Sequence, residues 1–170
     1  EGHMRGPEHL HFVGRTQVDM GLDSYHYIAT KVFHGHTGQD DTEVLAALIQ
    51  HRQFRDDYVG YGSWEADSLD KHGPYSLARM SPNSFRPVRE ARATRLVRAY
   101  AARFEMPDDE GEALEDAVLA PIRRATSIHR LRRLGEDARH ELAYCLDDFH
   151  ELVALDRQNG HATLVILCGD

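Results

Sequence analysis

The sequence predicts an α+β fold, and three observations carry that prediction. Alternating polarity over 9–18, a short turn, and an aromatic and β-branched return over 25–33 form the pattern of a β-hairpin. The middle of the chain repeats apolar residues at three- and four-residue steps, the helical period. Ala162 to Cys168 is a continuous apolar run, too hydrophobic for a strand with one wet face. The N-terminal hairpin and a buried C-terminal strand should therefore share a small antiparallel or mixed sheet, packed with four to five helices. The two ends of the fold then lie side by side.

The elements follow in order. Glu1 to His3 look like a vector remnant before a native Met4, and 4–170 read as a single globular domain. In the first strand, Leu10, Phe12, Thr16 and Val18 share one face. The glycine and aspartates of 19–23 supply turn chemistry. Asp40 is placed to cap a helix, with Glu43 completing a capping box; Val44, Leu45, Leu48 and Ile49 form its apolar stripe. Residues 58–83 are irregular, and they hold Tyr58, Tyr61, Trp64, His72 and Tyr75. Pro87 opens a predicted helix over 87–104. A second runs over 110–133, kinked or split by Pro121 and closed at Gly135. A third, over 136–157, carries Ala138, Leu142, Cys145, Phe149, Leu152 and Leu155 at helical steps.

Composition narrows the function classes. A net charge of −8 argues against free nucleic-acid binding. Two widely spaced cysteines, Cys145 and Cys168, are not a disulfide framework; both look like small core residues in a reduced compartment. The longest apolar run is too short to span a membrane. These features suggest a cytoplasmic protein without a membrane role, and they leave a homo-oligomer open.

Two His-x-His pairs, His9 with His11 and His34 with His36, are the candidate metal ligands. On a strand, residues two apart face the same side, roughly 6–7 Å apart, so two imidazoles can share a divalent transition metal such as zinc. If Val18 pairs with Tyr25, His9 lies opposite His34 and all four histidines gather on one face at the open end of the hairpin. A slip of one residue disperses them. That register also places Lys31 on the core face. Asp40 or Asp41 would complete the site, and a bound metal would activate water.

The segment His34-Gly35-His36-Thr37-Gly38-Gln39-Asp40 resembles, in its first two histidines, the His-x-His-x-Asp-His element of metallo-β-lactamase-like hydrolases. The aspartate comes two residues late and the third histidine is missing, so membership does not follow. Glu136-Asp137-Ala138-Arg139-His140 similarly resembles the Glu-x-Arg-His element of ferritin-like di-iron proteins, with Asp137 where the glutamate belongs. The second Glu-x-x-His helix that such a centre needs is not present.

Thirteen of the 18 arginines fall between Arg79 and Arg139. Arg86, Arg89, Arg92, Arg95 and Arg98 recur every third residue; Arg123, Arg124, Arg130, Arg132 and Arg133 form a second group. Such bands can hold phosphate or an acidic partner, but ion pairing with the 28 acidic residues is the simpler expectation. Arg89 and Arg92, with the aromatic residues of 58–75, are the candidate contacts to a partner protein or small ligand. Two function classes result. One is a cytoplasmic binding protein, for example an immunity or antitoxin-type inhibitor of a partner protein. The other is a small metal-dependent, hydrolase-like enzyme built on the four histidines.

Overall fold

The computed structural model describes residues 10–21, 25–35, 40–58, 70–141, 143 and 148–169. The architecture is α+β. Strands β1 (His11–Asp19) and β2 (His26–His34) form the N-terminal hairpin, and helix α1 (Asp41–Gln50) follows. Strands β3 (Lys71–His72) and β4 (Tyr75–Ser76) pair with each other as a separate ribbon. Then come β5 (Phe85–Val88), α2 (Glu90–Ala101), a third helix, and β6 (Ser127–Leu131), β7 (Asp148–Asp156) and β8 (His161–Gly169). The third helix, α3, is α-helical over Asp108–Ala113, π-helical over Leu114–Leu119 and α-helical again over Ala120–Arg124. Its π stretch ends just before Pro121, with the Ala120 N–H bonded five residues back to the Glu115 carbonyl. The widened turn takes up the proline, which has no N–H to give.

Six strands form one antiparallel sheet in the order β1-β2-β8-β7-β6-β5. The C-terminal strand is central, between β2 and β7, and its residues 162–169 are all buried. One face carries Phe33, Val153, Leu155 and Leu164 against Val44, Leu45, Leu48 and Ile49 of α1. The other carries Ile28, Leu152, Val165 and Leu167 against Val97 and Tyr100 of α2 and Leu114, Val118 and Ile122 of α3. Each such side chain contributes about 1.5–3 kcal/mol by leaving water. Among the described residues, no helix is long and apolar enough to cross a membrane.

Three expectations are corrected. Among the described residues the helices number three rather than four to five. Within the predicted helix over 136–157, the described residues instead form a 3-10 turn at Glu136–Ala138 and the strand β7. A strand buried on both faces is apolar at nearly every position, so it satisfies a helical period as well as an alternating one. What read as a helix stop at 158–160 is the β7–β8 turn. The Asp156 carboxylate accepts from the backbone N–H groups of Gln158 and Asn159, and Gly160 adopts φ +69°. Likewise β6, and Pro87 and Val88 of β5, lie in stretches that read as helix.

The hairpin register is the third correction. His11, not His9, lies opposite His34. A bulge between Phe12 and Gly14 then shifts the pairing by one, so Val18 faces Ile28. Val13, the extra residue, is 63 % exposed. The bulge lets Phe12 join the α1 side of the sheet while Val18 joins the α2–α3 side.

Candidate binding groove

The arginine surface is built on the β5–β6 end of the sheet. Arg86 and Arg130 are direct cross-strand partners, and like charges directly opposite each other destabilise a sheet. Arg92 projects from the first turn of α2, and Arg132 and Arg133 follow the end of β6. Together they surround a cavity of about 430 Å³ whose lining contains no carboxylate. Arg130 to Arg133 also line a second, larger cavity of about 870 Å³. Its lining includes Tyr75 and Phe149, the basic residues Arg139 and His140, His150, and three carboxylates, Glu136, Glu141 and Asp148. The two cavities form one groove around the end of β6.

Charge pairing separates these arginines from Arg98, Arg103, Arg123 and Arg157. Arg98 and Arg123 both bridge to Glu115, at 3.3 and 3.2 Å, Arg103 reaches Asp148 at 2.7 Å, and Arg157 pairs with Asp41. The ion-pair expectation holds for them. Among the described residues, Arg86, Arg92, Arg130, Arg132 and Arg133 have no carboxylate within ion-pair distance; the Arg132 guanidinium donates to the Asn83 carbonyl, at 3.3 Å. Arg89, the N-terminal flank of α2, is exposed and does not line the groove. At the far wall, burial and the neighbouring Arg130 push the His150 imidazole toward its neutral form, opposed by Asp148. Burial alone would raise the Asp148 carboxyl, but its bond with Arg103 and the charges of His150 and His26 hold it below the usual range.

The aromatic segment divides. Tyr75 is buried at the groove floor, where its hydroxyl accepts from the Leu134 N–H. Tyr58 and His72 are fully buried on the α1 side of the sheet instead. His72 stacks on Phe54 at 3.6 Å, its Nδ1 is 2.6 Å from the Phe54 carbonyl oxygen, and its Nε2 is 2.6 Å from Oε2 of Glu151. Beside it, Lys31 donates to the Gln53 carbonyl (2.7 Å) and the Asp56 carboxylate (3.2 Å) and lies over the Tyr58 ring. Burial lowers the Lys31 pKa, and Asp56 opposes that shift. Tyr58 sits at φ +57°, its N–H held by Asp56 and its carbonyl by the Tyr27 hydroxyl. Tyr61 and Trp64 lie outside the described residues.

For the proposed metal ligands, the register produces a row across four strands: His11, His34, His161 and Asp156. The His34 and His161 rings are 5.4 Å apart, edge to face. His9 and His36 lie outside the described residues, as does Cys145. Among the described residues, no group of three or more His, Cys, Asp or Glu side chains is arranged to hold a metal ion. Asp40 caps α1 by accepting from the Glu43 N–H, and Asp41 accepts from His129 and Arg157. Asp137 and His140 stand on a 3-10 turn and the residues after it, not on a di-iron helix.

Sequence reasoning missed Arg86 facing Arg130, because Arg130 was assigned to a helix and Arg86 to the residue before one, and missed Glu151 and Asp56 as buried partners. Lys31 on a core-facing strand position was a signal for one of them, since a buried ammonium requires a counter-charge. Compared with protein-family models, curated protein sequences and solved structures, the chain matches none of them.

Proposed function

We propose that this is a binding protein that takes an acidic segment of a partner protein into the arginine groove, the behaviour of an inhibitor-type partner such as an immunity protein. The observation that carries this is the set of five guanidiniums, Arg86, Arg92, Arg130, Arg132 and Arg133, around one cavity without a carboxylate in its lining. Fixed like charges repel one another, and a carboxylate ligand that accepts paired N–H bonds from guanidinium relieves that repulsion. The chain as a whole carries −8, which disfavours a long polyanion such as nucleic acid but not a short acidic segment that touches only the groove.

A fluorescein-labelled poly-glutamate peptide tests this by anisotropy. It should bind, weaken steeply as salt is raised, and lose roughly tenfold or more in affinity in Arg86→Ser/Arg130→Ser, a loss of about 1.4 kcal/mol or more. Tighter binding of a single-stranded DNA oligonucleotide, or equal binding by the variant, would overturn the proposal.

The metal-dependent reading keeps one supporting observation, the proximity of His34 and His161. It requires stoichiometric zinc, iron or manganese in protein purified without a nickel column, lost in His34→Ala/His161→Ala. Metal-free protein would end it.

A further inference from the structure

Strand β6 pairs with β7 only from Ser127 opposite Leu155 to Arg130 opposite Leu152. The chain then turns away: Leu131 pairs with Phe85 of β5, and the Arg132 N–H bonds to the Ser84 carbonyl. Strand β7 continues for residues 148–150, which pair with β8 on one side. Among the described residues, no backbone hydrogen bond reaches 148–150 from the other side. Backbone groups of alternate residues point to opposite edges, so this stretch presents N–H and C=O groups to a lane that no described strand occupies. The same three residues line the larger cavity. The open edge is thus inside the groove, about 10 Å long.

We infer that the groove captures its partner by strand addition: an extended segment lies along β7 at 148–150, in the lane that β6 vacates. This deepens, and rests on, the reading of the groove as an anion-binding surface. An unpaired edge is a template for a further strand, and main-chain bonds then supply affinity while alternate side chains supply specificity. The two sides of the lane differ. Phe149 packs toward the α1-side core, with its ring 6.5 Å from that of Tyr75. His150 faces α2, its ring 6.4 Å from that of Tyr100, and Arg130 is opposite Leu152 of that same side. Successive residues of an added strand face opposite sides. One set meets Phe149 and Tyr75; the other meets Arg130 and His150, and at the far end of the lane Asp148, whose carboxylate is already bridged by Arg103 at 2.7 Å. The segment recognised is therefore one in which acidic residues alternate with apolar ones.

The test uses an end-blocked hexapeptide of alternating glutamate and valine, together with the same peptide N-methylated at alternate residues. The unmethylated peptide should bind the intact chain and slow amide exchange within 148–150. N-methylation should weaken binding by roughly tenfold or more, the effect of losing two backbone hydrogen bonds. Arg132→Ser/Arg133→Ser, at two exposed positions, should weaken both peptides while leaving the thermal melt unchanged. If both peptides bind equally and lose affinity together in that variant, the groove is an anion site and strand addition is wrong. If neither binds, both proposals fall. If the amides become protected by raising protein concentration alone, the occupant is a second copy of this chain, and the inference as stated is overturned.

Discussion

His72 has an acceptor on both sides. The Phe54 carbonyl can only accept, so Nδ1 donates to it, and Nε2 is left to Glu151 in a site where neither side chain is exposed to water. Removing one member of such a buried pair strands the other. Glu151→Ala is therefore expected to cost about 3–5 kcal/mol in urea unfolding, and Glu151→Gln, which keeps a polar partner for Nε2, clearly less. Protonation adds a dependence on pH. Burial raises the phenols of Tyr27, Tyr58 and Tyr100 well above the usual range. The folded state then keeps protons that the unfolded chain releases, so their contribution is intact below about pH 10 and lost as pH rises beyond it. Burial shifts His150 the other way. The unfolded chain takes up its proton first, so stability falls as pH drops below about 6.5. Thermal melts across pH should show both limbs, with the alkaline limb shallower in Tyr100→Phe. An unchanged limb would remove tyrosine as its cause.

Elements whose signals are local were legible; elements defined by what they pack against were not. The start of α1 could be read because its cap is made by residues three apart: Asp40 accepts from the Glu43 N–H at 2.8 Å. Asp40→Ala should destabilise by about 1 kcal/mol, measured as a shift in the urea midpoint. The β1–β2 hairpin was legible from its alternation, but the bulge at Val13 was not, because it resolves a competition between two buried faces that only the finished sheet imposes. Strand β7 was hidden by the same cause. With β8 on one side and helices above and below, its inward and outward positions are both dry, and no polar residue marks the period over Leu152 to Leu155. Pro87 read as a helix start, yet it belongs to β5, the edge strand, where a missing N–H is tolerated. The β3–β4 turn depends on Gly73 at φ +54°, with its α-carbon against the Phe149 ring. Gly73→Ala should destabilise by more than the ordinary propensity difference, and should also move the Phe149 wall of the groove.

At the scale of the molecule, the candidate site was legible as composition and illegible as place. The density of arginine was visible, but the pairing of Arg86 with Arg130 exists only because two short stretches, far apart in sequence, lie side by side in the sheet. The same holds for the histidine row, to which His161 comes from the far end of the chain. The position of β8 has a temporal consequence. Strands β2 and β7 each need β8 beside them: His26 pairs with Gly169, and Asp148 pairs with the same residue from the other side. During synthesis β2 emerges well before β8, and until β8 leaves the ribosome it has only β1 beside it. The sheet cannot close before β8 is made, a topology of long-range contacts that folds slowly. Nascent chains stalled before His161 should be digested throughout by a low dose of protease, whereas chains extended past Gly169 by a flexible linker should resist it.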